Sequence, residues 1–405
     1  MRVATLSIHS SPLAQPGLGD GGGLNVYVDA LARALRKAGV SCDVFTRADR
    51  PGLPPVVEIE RGYRVVHLDV GPPEPISKHE TAALTPELTD AFIARGCAHG
   101  YDLLHANYWL SGAVAHALKH DLGMPMAATF HTLDRVKAEV GIDDDVDTRA
   151  ATEREVIQCA DLMLTSTDEE VRQLVELYDA DPTRVEVLTP GVDREVFHPV
   201  EAELRARYRA ELGIEGRMLL FVGRVQPLKG VDLAVSSLAF LDRDDTTLVI
   251  VGGASGRDGE AELHRVRALA HDLGIADRVR FVAPQPHRTL ARYYQAADVS
   301  LVPSRSESFG LVALEAAACG TPVVASDVGG LSVIVRDGQT GFLVDTRRAD
   351  AFAAPIAALL EDESRRCAMS VAASERAKDF TWSVTAARFR RLAADLVAGD
   401  PQLCR

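Results

Sequence analysis

The chain has 405 residues, 47% of them apolar and 25% charged, with a formal net charge of −14. That length supports two domains with separate cores. The acidic balance argues against broad nucleic-acid or anionic-membrane binding, which needs a cationic face. No low-complexity block or fixed-period repeat stands out, which argues against disorder and solenoids.

The chain opens on an apolar run, Val3 to Ile8, with no charged-then-apolar leader before it, and no apolar stretch approaches a membrane span, so a soluble cytoplasmic protein is expected. A loop with two prolines then reaches Asp20-Gly21-Gly22-Gly23, followed by a helical stretch from Leu24 to Ala38. Glycines here permit close backbone approach and present N–H groups to an anion. A dinucleotide fingerprint would place its glycines directly after the strand, so diphosphate or sugar contact fits better than a nicotinamide cofactor. Further strands are expected at Ser41 to Thr46, Arg64 to Leu68, Leu103 to His105, Met126 to Thr129 and Leu162 to Ser166. Strand–helix alternation of this kind predicts a mainly parallel sheet covered on both faces.

A turn-rich connector spans Thr189-Pro190-Gly191-Val192-Asp193 and Phe197-His198-Pro199. The pattern then restarts, with strands at Leu219 to Val222, Thr247 to Val251, Val279 to Val282, Val299 to Val302 and Val323 to Ala325. The expected division is an N-terminal domain over 1–192, a hinge at 193–199, a C-terminal domain over 200–379 and a final helix over 380–405. Each sheet should offer a ligand crevice at the carboxyl ends of its strands. The six cysteines, Cys42, Cys97, Cys159, Cys319, Cys367 and Cys404, show no metal-like spacing and are expected as reduced thiols.

Two segments of the second half carry chemistry. Leu219 to Val222 runs into Gly223-Arg224-Val225-Gln226-Pro227-Leu228-Lys229-Gly230, where a guanidinium fork and an ammonium can hold phosphate. Farther on, Glu307-Ser308-Phe309-Gly310-Leu311-Val312-Ala313-Leu314-Glu315 places two carboxylates eight positions apart. With Ser306 or Ser308 as cap, the two acids would share one side of a helix and grip an elongated polyhydroxylated ligand. Alone, each segment also reads as a solvated surface element. Together they point to a nucleoside diphosphate sugar.

The order of these parts resembles the family-4 retaining glycosyltransferases of the GT-B fold, over essentially the whole chain. Ser11-Pro12-Leu13-Ala14-Gln15-Pro16-Gly17, Gly19-Asp20-Gly21-Gly22-Gly23-Leu24-Asn25-Val26-Tyr27, Tyr108-Trp109-Leu110-Ser111-Gly112 and His131-Thr132-Leu133 are most similar to the branch that glycosylates inositol phosphate in mycothiol biosynthesis. The resemblance implies two Rossmann-like domains with facing crevices and a C-terminal helix, Phe380 to Leu396, crossing back to the first domain. It implies transfer of N-acetylglucosamine from UDP to 1D-myo-inositol 3-phosphate by a front-face route without a dedicated base. No tightly bound cofactor and no metal are expected. The partners expected are the small-molecule donor and acceptor, with a homodimer as the assembly.

The same resemblance assigns residues. His131, Glu307, Arg224 and Lys229 would be catalytic. Gln15, Pro16, Gly23, Arg224, Lys229, Glu307 and Glu315 would bind the donor, with Glu315 on the ribose. The acceptor would meet His9, Asp20, Gly21, Gly22, Gly23 and Asn25, and its phosphate Lys78, Tyr108, Thr132 and Arg149. Leu24, Gln285 and Ser332 depart from the branch, which has methionine, arginine and proline there. The departure at Gln285 leaves GDP open beside UDP. A related transferase of a specialised-metabolite pathway, a sucrose-phosphate-synthase-like enzyme, a nucleotide-sugar epimerase and an inert nucleotide-sugar-binding protein are the rival readings.

Overall fold

The computed structural model describes residues 1–17, 19, 21–95, 100–141, 148–241, 243–256 and 259–399. By compactness the chain divides into two units. The first comprises Met1–Ala14, Gly23–Pro190 and Trp382–Arg405, and the second Gln15–Gly22 and Gly191–Thr381.

Eight strands build the sheet of the first unit: β1 (Arg2–Leu6), β2 (Ser41–Arg47), β3 (Val56–Glu60), β4 (Tyr63–Leu68), β5 (Leu103–Asn107), β6 (Met126–Thr129), β7 (Leu162–Thr165) and β8 (Val185–Val187). Their order is β3-β4-β2-β1-β5-β6-β7-β8. All neighbours are parallel except β3, which runs antiparallel to β4. The central strands β1, β5 and β6 are buried on both faces and are mostly apolar, with the few polar residues, such as His105 and Asn107, buried as well. The sequence reading missed β3 and β8. Both are short and at most half-buried, so they lack the apolar run that marks a central strand.

The second unit holds β9 (Arg217–Val222), β10 (Thr246–Val251), β11 (Val279–Val282), β12 (Val299–Val302), β13 (Val323–Ser326) and β14 (Gly341–Val344). They form an all-parallel sheet in the order β11-β10-β9-β12-β13-β14. Here β14, an edge strand that opens on glycine, was missed.

Both sheets reverse direction of winding at one point. In the first unit the chain moves outward from β1 to β2 and later adds β5 on the other side; in the second, β9 has β10 on one side and β12 on the other. Ligands bind at such switch points in open α/β sheets, beyond the carboxyl ends of the strands. The loops after β1, β5 and β6, and those after β9 and β12, therefore mark where chemistry is to be sought.

The last helix, Trp382–Ala398, packs against the helix Gly23–Lys37 within the first unit. Trp382 meets the Tyr27 ring at 5.6 Å, and Thr385 Oγ1 donates to the Thr189 carbonyl at 2.7 Å. No helix among the described residues is long and apolar enough to cross a membrane. Cys42, Cys319 and Cys367 are free thiols, whereas Cys159 is disulfide-bonded, which corrects the expectation of six reduced cysteines.

Candidate functional site

In the first unit, the chain leaves β5 through Asn107 and enters the helix Trp109–Leu122 at Tyr108, whose φ of 75° and ψ of 159° suit glycine rather than a tyrosine. Such a backbone costs about 1–3 kcal/mol and persists only where the surroundings impose it. Here Tyr108 N donates to the Thr129 carbonyl at 2.8 Å, and the ring packs on His9 at 5.4 Å. Two residues beyond β6, His131 has a φ of 62°. Two strained, non-glycine residues thus follow neighbouring strands at the switch-point edge.

His131 Nε2 donates to Asn107 Oδ1 at 2.9 Å, and its ring meets the Tyr27 edge at 4.7 Å. Burial pushes its pKa down to about 3, so the imidazole stays neutral, with Nδ1 as the basic nitrogen. Behind it, His105 bonds Thr129 Oγ1 at 3.1 Å, and burial, followed by the charge of His131, pushes it to about 3 as well. Asn107 Nδ2 is buried without a hydrogen-bond partner among the described residues, so the amide is committed to His131 through its oxygen alone.

Arg149, the first residue of the helix Arg149–Cys159, is fully buried. Its Nε pairs with Glu153 Oε1 at 2.7 Å, and Nη2 donates to Thr132 through the carbonyl at 3.0 Å and Oγ1 at 3.1 Å. The guanidinium lies 5.1 Å from the Tyr108 ring centroid, and Lys78 Nζ lies 6.0 Å from the same centroid. Lys78 begins the short helix Lys78–Ala83, set by a capping box between Ser77 and Glu80. Three residues drawn from separate parts of the sequence, His9, Lys78 and Arg149, therefore surround one ring, and Thr132 joins them through Arg149. Asn25 donates to Ser10 Oγ and to the Ser11 carbonyl, both at 2.6 Å, which ties the loop after β1 to the helix that Gly23 begins. Asp20 lies outside the described residues.

In the second unit, the loop after β9 carries Arg224, whose Nη1 approaches Ser255 Oγ at 3.5 Å. Gly22 sits against this side chain: a Cβ there would come to 3.3 Å from Arg224 Nε. Gly21 accepts from Gly17 N, the residue after Pro16, at 2.9 Å, while Gln15 Nε2 donates to the Gln285 carbonyl at 3.0 Å. The Gln285 side chain turns back to the Ala283 carbonyl at 2.9 Å.

Lys229 Nζ pairs with Glu307 Oε2 at 2.6 Å, and Ser304 Oγ donates to the same oxygen at 3.3 Å. Glu307 itself does not lie on the helix. The helix spans Leu311–Ala318, its N-cap is Gly310 with a φ of 98°, and no side chain caps it. Neither Ser306 nor Ser308 starts a helix turn there, which corrects the shared-face expectation for the two acids. The cause is tertiary. Gly330 N donates to the Glu307 carbonyl at 2.9 Å, and a side chain at Gly329 would overlap that carbonyl, so the Glu307 backbone is held in a loop. Glu315 sits inside the helix, buried, and accepts from Tyr294 Oη at 2.9 Å. Burial raises its pKa.

Sequence reasoning missed the residues that hold the site. Asn107, Tyr294 and Ser304 contact His131, Glu315 and Glu307, and none bears a local motif that would mark it. The parallel sheets could have placed Asn107, since it ends β5 next to β6 in register with Thr129.

Comparison with known proteins adds an independent line. Residues 22–191 match the family described as glycosyl transferase 4-like domain, and residues 205–376 match glycosyl transferases group 1. The D-inositol 3-phosphate glycosyltransferase of Thermomonospora curvata is 44% identical over 404 residues, covering 96% of this chain and 94% of its own. Its namesake from Corynebacterium glutamicum is 40% identical, covering 99% and 98%. Among solved structures, a sucrose-phosphate synthase from Thermosynechococcus elongatus superposes with a TM-score of 0.91 at 34% identity, over 98% of this chain and 99% of that one.

Proposed function

This chain belongs to the family-4 glycosyltransferases of the GT-B fold, and we propose that it moves N-acetylglucosamine from UDP to 1D-myo-inositol 3-phosphate with retention of configuration. The observation that carries the acceptor is the gathering of Lys78 and Arg149 over the Tyr108 ring, with Thr132 bonded to Arg149. Two cations and a hydroxyl at the switch point of an otherwise acidic protein suit a phosphate. The names of the relatives support the same acceptor.

In this reading the second unit holds the donor. Arg224 and Lys229 act on the diphosphate, and their stabilisation grows as negative charge builds on the leaving group. Glu307 lies at the sugar and Glu315 at the ribose, with Gln15 and Pro16 at the same ligand. His131 stays neutral and offers a polar edge to the donor sugar, which passes through an oxocarbenium-like state. His9, Asn25 and the glycines 21 to 23 line the acceptor ring. The leaving phosphate takes the acceptor proton, so no separate base is required.

A second reading, sucrose-phosphate-synthase-like transfer to another sugar phosphate, is favoured by the superposition. Nucleotide release is to be followed with UDP- and GDP-sugars, with inositol 3-phosphate, free inositol or a hexose phosphate. Release that requires UDP-N-acetylglucosamine and inositol 3-phosphate together is expected. Faster release with a GDP-sugar or a hexose phosphate would sink this assignment and leave only the class.

A further inference from the structure

Away from the switch point, on the helix Trp109–Leu122, His116 and His120 stand one turn apart and project from one face. Their Nε2 atoms are 3.2 Å apart. Cys159 ends the helix Arg149–Cys159, and its Sγ lies 3.5 Å from His120 Nε2. The three ligand atoms all fall within 4.8 Å of one another.

The two separations measured from His120 match those around a tetrahedral zinc ion. With Zn–N near 2.05 Å and Zn–S near 2.3 Å, tetrahedral angles put two nitrogens about 3.3 Å apart and nitrogen and sulfur about 3.6 Å apart. The scaffold beneath is rigid. Lys119 Nζ, buried, donates to the Cys159 carbonyl at 2.7 Å and pairs with Asp161 Oδ1 at 2.7 Å, which ties the end of one helix to the other. His120 is exposed, so an ion can enter and a water can complete the coordination.

Cys159 is disulfide-bonded, so its sulfur cannot ligate in the oxidised chain. We propose that His116, His120 and Cys159 form a divalent transition-metal site of zinc type that is available only after this disulfide is reduced. A small dithiol supplies two electrons and two protons, leaving two cysteine thiols and an oxidised dithiol. Cys159 then releases its proton as the sulfur takes the metal. The site is separate from the acceptor cluster: Arg149 and Cys159 are the two ends of an eleven-residue helix, about 15 Å apart at the usual rise. It is a resident site outside the catalytic machinery, for which no metal is expected.

The test compares the full chain with its disulfide intact and after anaerobic reduction and removal of the dithiol. Zn2+ affinity is read by competition with a chromophoric chelator, and Co2+ is added in parallel to read thiolate-to-cobalt absorption. The reduced parent should bind one Zn2+ per chain, on the order of tenfold or more tighter than the oxidised chain, His120→Ala or Cys159→Ser. The cobalt–thiolate band should be present in the reduced parent and absent from Cys159→Ser. His120→Ala alters only an exposed side chain, so loss of binding there is not loss of fold, and unchanged circular dichroism checks this. Equal affinity in both redox states, or a cobalt–thiolate band that persists in Cys159→Ser, overturns the proposal.

Discussion

Arg149 and Glu153 form an ion pair at 2.7 Å with both side chains fully buried, one turn apart on the same helix. Glu153 also accepts from Asp134 N at 3.0 Å and from the Tyr178 hydroxyl. The guanidinium proposed to meet the acceptor phosphate is therefore also the counter-charge of a buried carboxylate. Removing it leaves that carboxylate uncompensated, at a cost of about 3–5 kcal/mol. Arg149→Ala should lower the denaturation midpoint as well as activity, whereas Lys78→Ala should leave the midpoint in place. Lys78→Ala should still reduce the preference for inositol 3-phosphate over free inositol by on the order of tenfold. Thermal melts together with kcat/KM for the two acceptors separate the effects, and an unchanged preference in Lys78→Ala would remove that lysine from the phosphate site.

Lys229 Nζ is paired with Glu307 Oε2 at 2.6 Å. A diphosphate has to share this ammonium with the carboxylate, so the two side chains should be energetically coupled. Arg224→Ala and Lys229→Ala should each lower kcat by about a hundredfold, the usual loss when one donor to a developing anion is removed. Glu307→Gln combined with Lys229→Ala should cost less than the product of the single losses. Strict multiplicativity would show that the pair does not act as a unit.

Glu315 is buried and bonded to Tyr294, whereas Glu307 lies in a loop and is partly exposed. A remote, rigid contact changes ground state and transition state alike, while a contact at the reacting sugar chiefly changes turnover. Calorimetry with UDP should show weak binding by Glu315→Gln and near-parent binding by Glu307→Gln. The reverse order would invert the two assignments.

Acid should weaken the fold through two desolvated imidazoles, His131 and His105. His131 and His105 are both held near pH 3, against 6.5 for an unperturbed histidine, so the unfolded chain takes up their protons first as pH falls. Their contribution is fully present above about pH 6.5 and is lost progressively towards pH 3. The midpoint of urea unfolding should therefore fall between pH 7 and 4. The fall should be shallower in His131→Asn, since asparagine tolerates the left-handed backbone there and carries no titrating ring. Parallel pH profiles for parent and variant would show that His131 titrates normally.

The strands Met126–Thr129, Val279–Val282 and Val299–Val302 were legible from the sequence to the residue: the first and last are buried along their whole length, and Val279–Val282, at a sheet edge, still keeps three apolar residues around its exposed Arg280. The residue types proposed to carry the chemistry could be picked out in the sequence too, as a basic loop after one strand and a pair of acids after another. Three of the four edge strands, Val56–Glu60, Val185–Val187 and Gly341–Val344, were not legible, since a half-exposed edge need not leave an apolar run. Nor was the conformation around Glu307 and Gly310, where local propensity favours a helix but the close approach of Gly329 and Gly330 holds a loop. The partnerships of His131 with Asn107, Arg149 with Thr132 and Tyr108, and His120 with Cys159 join residues 24, 17, 41 and 39 positions apart. Short-range pattern records which backbone a segment prefers. Which side chains face each other is decided by strand order and helix packing, and these depend on burial summed over the whole unit.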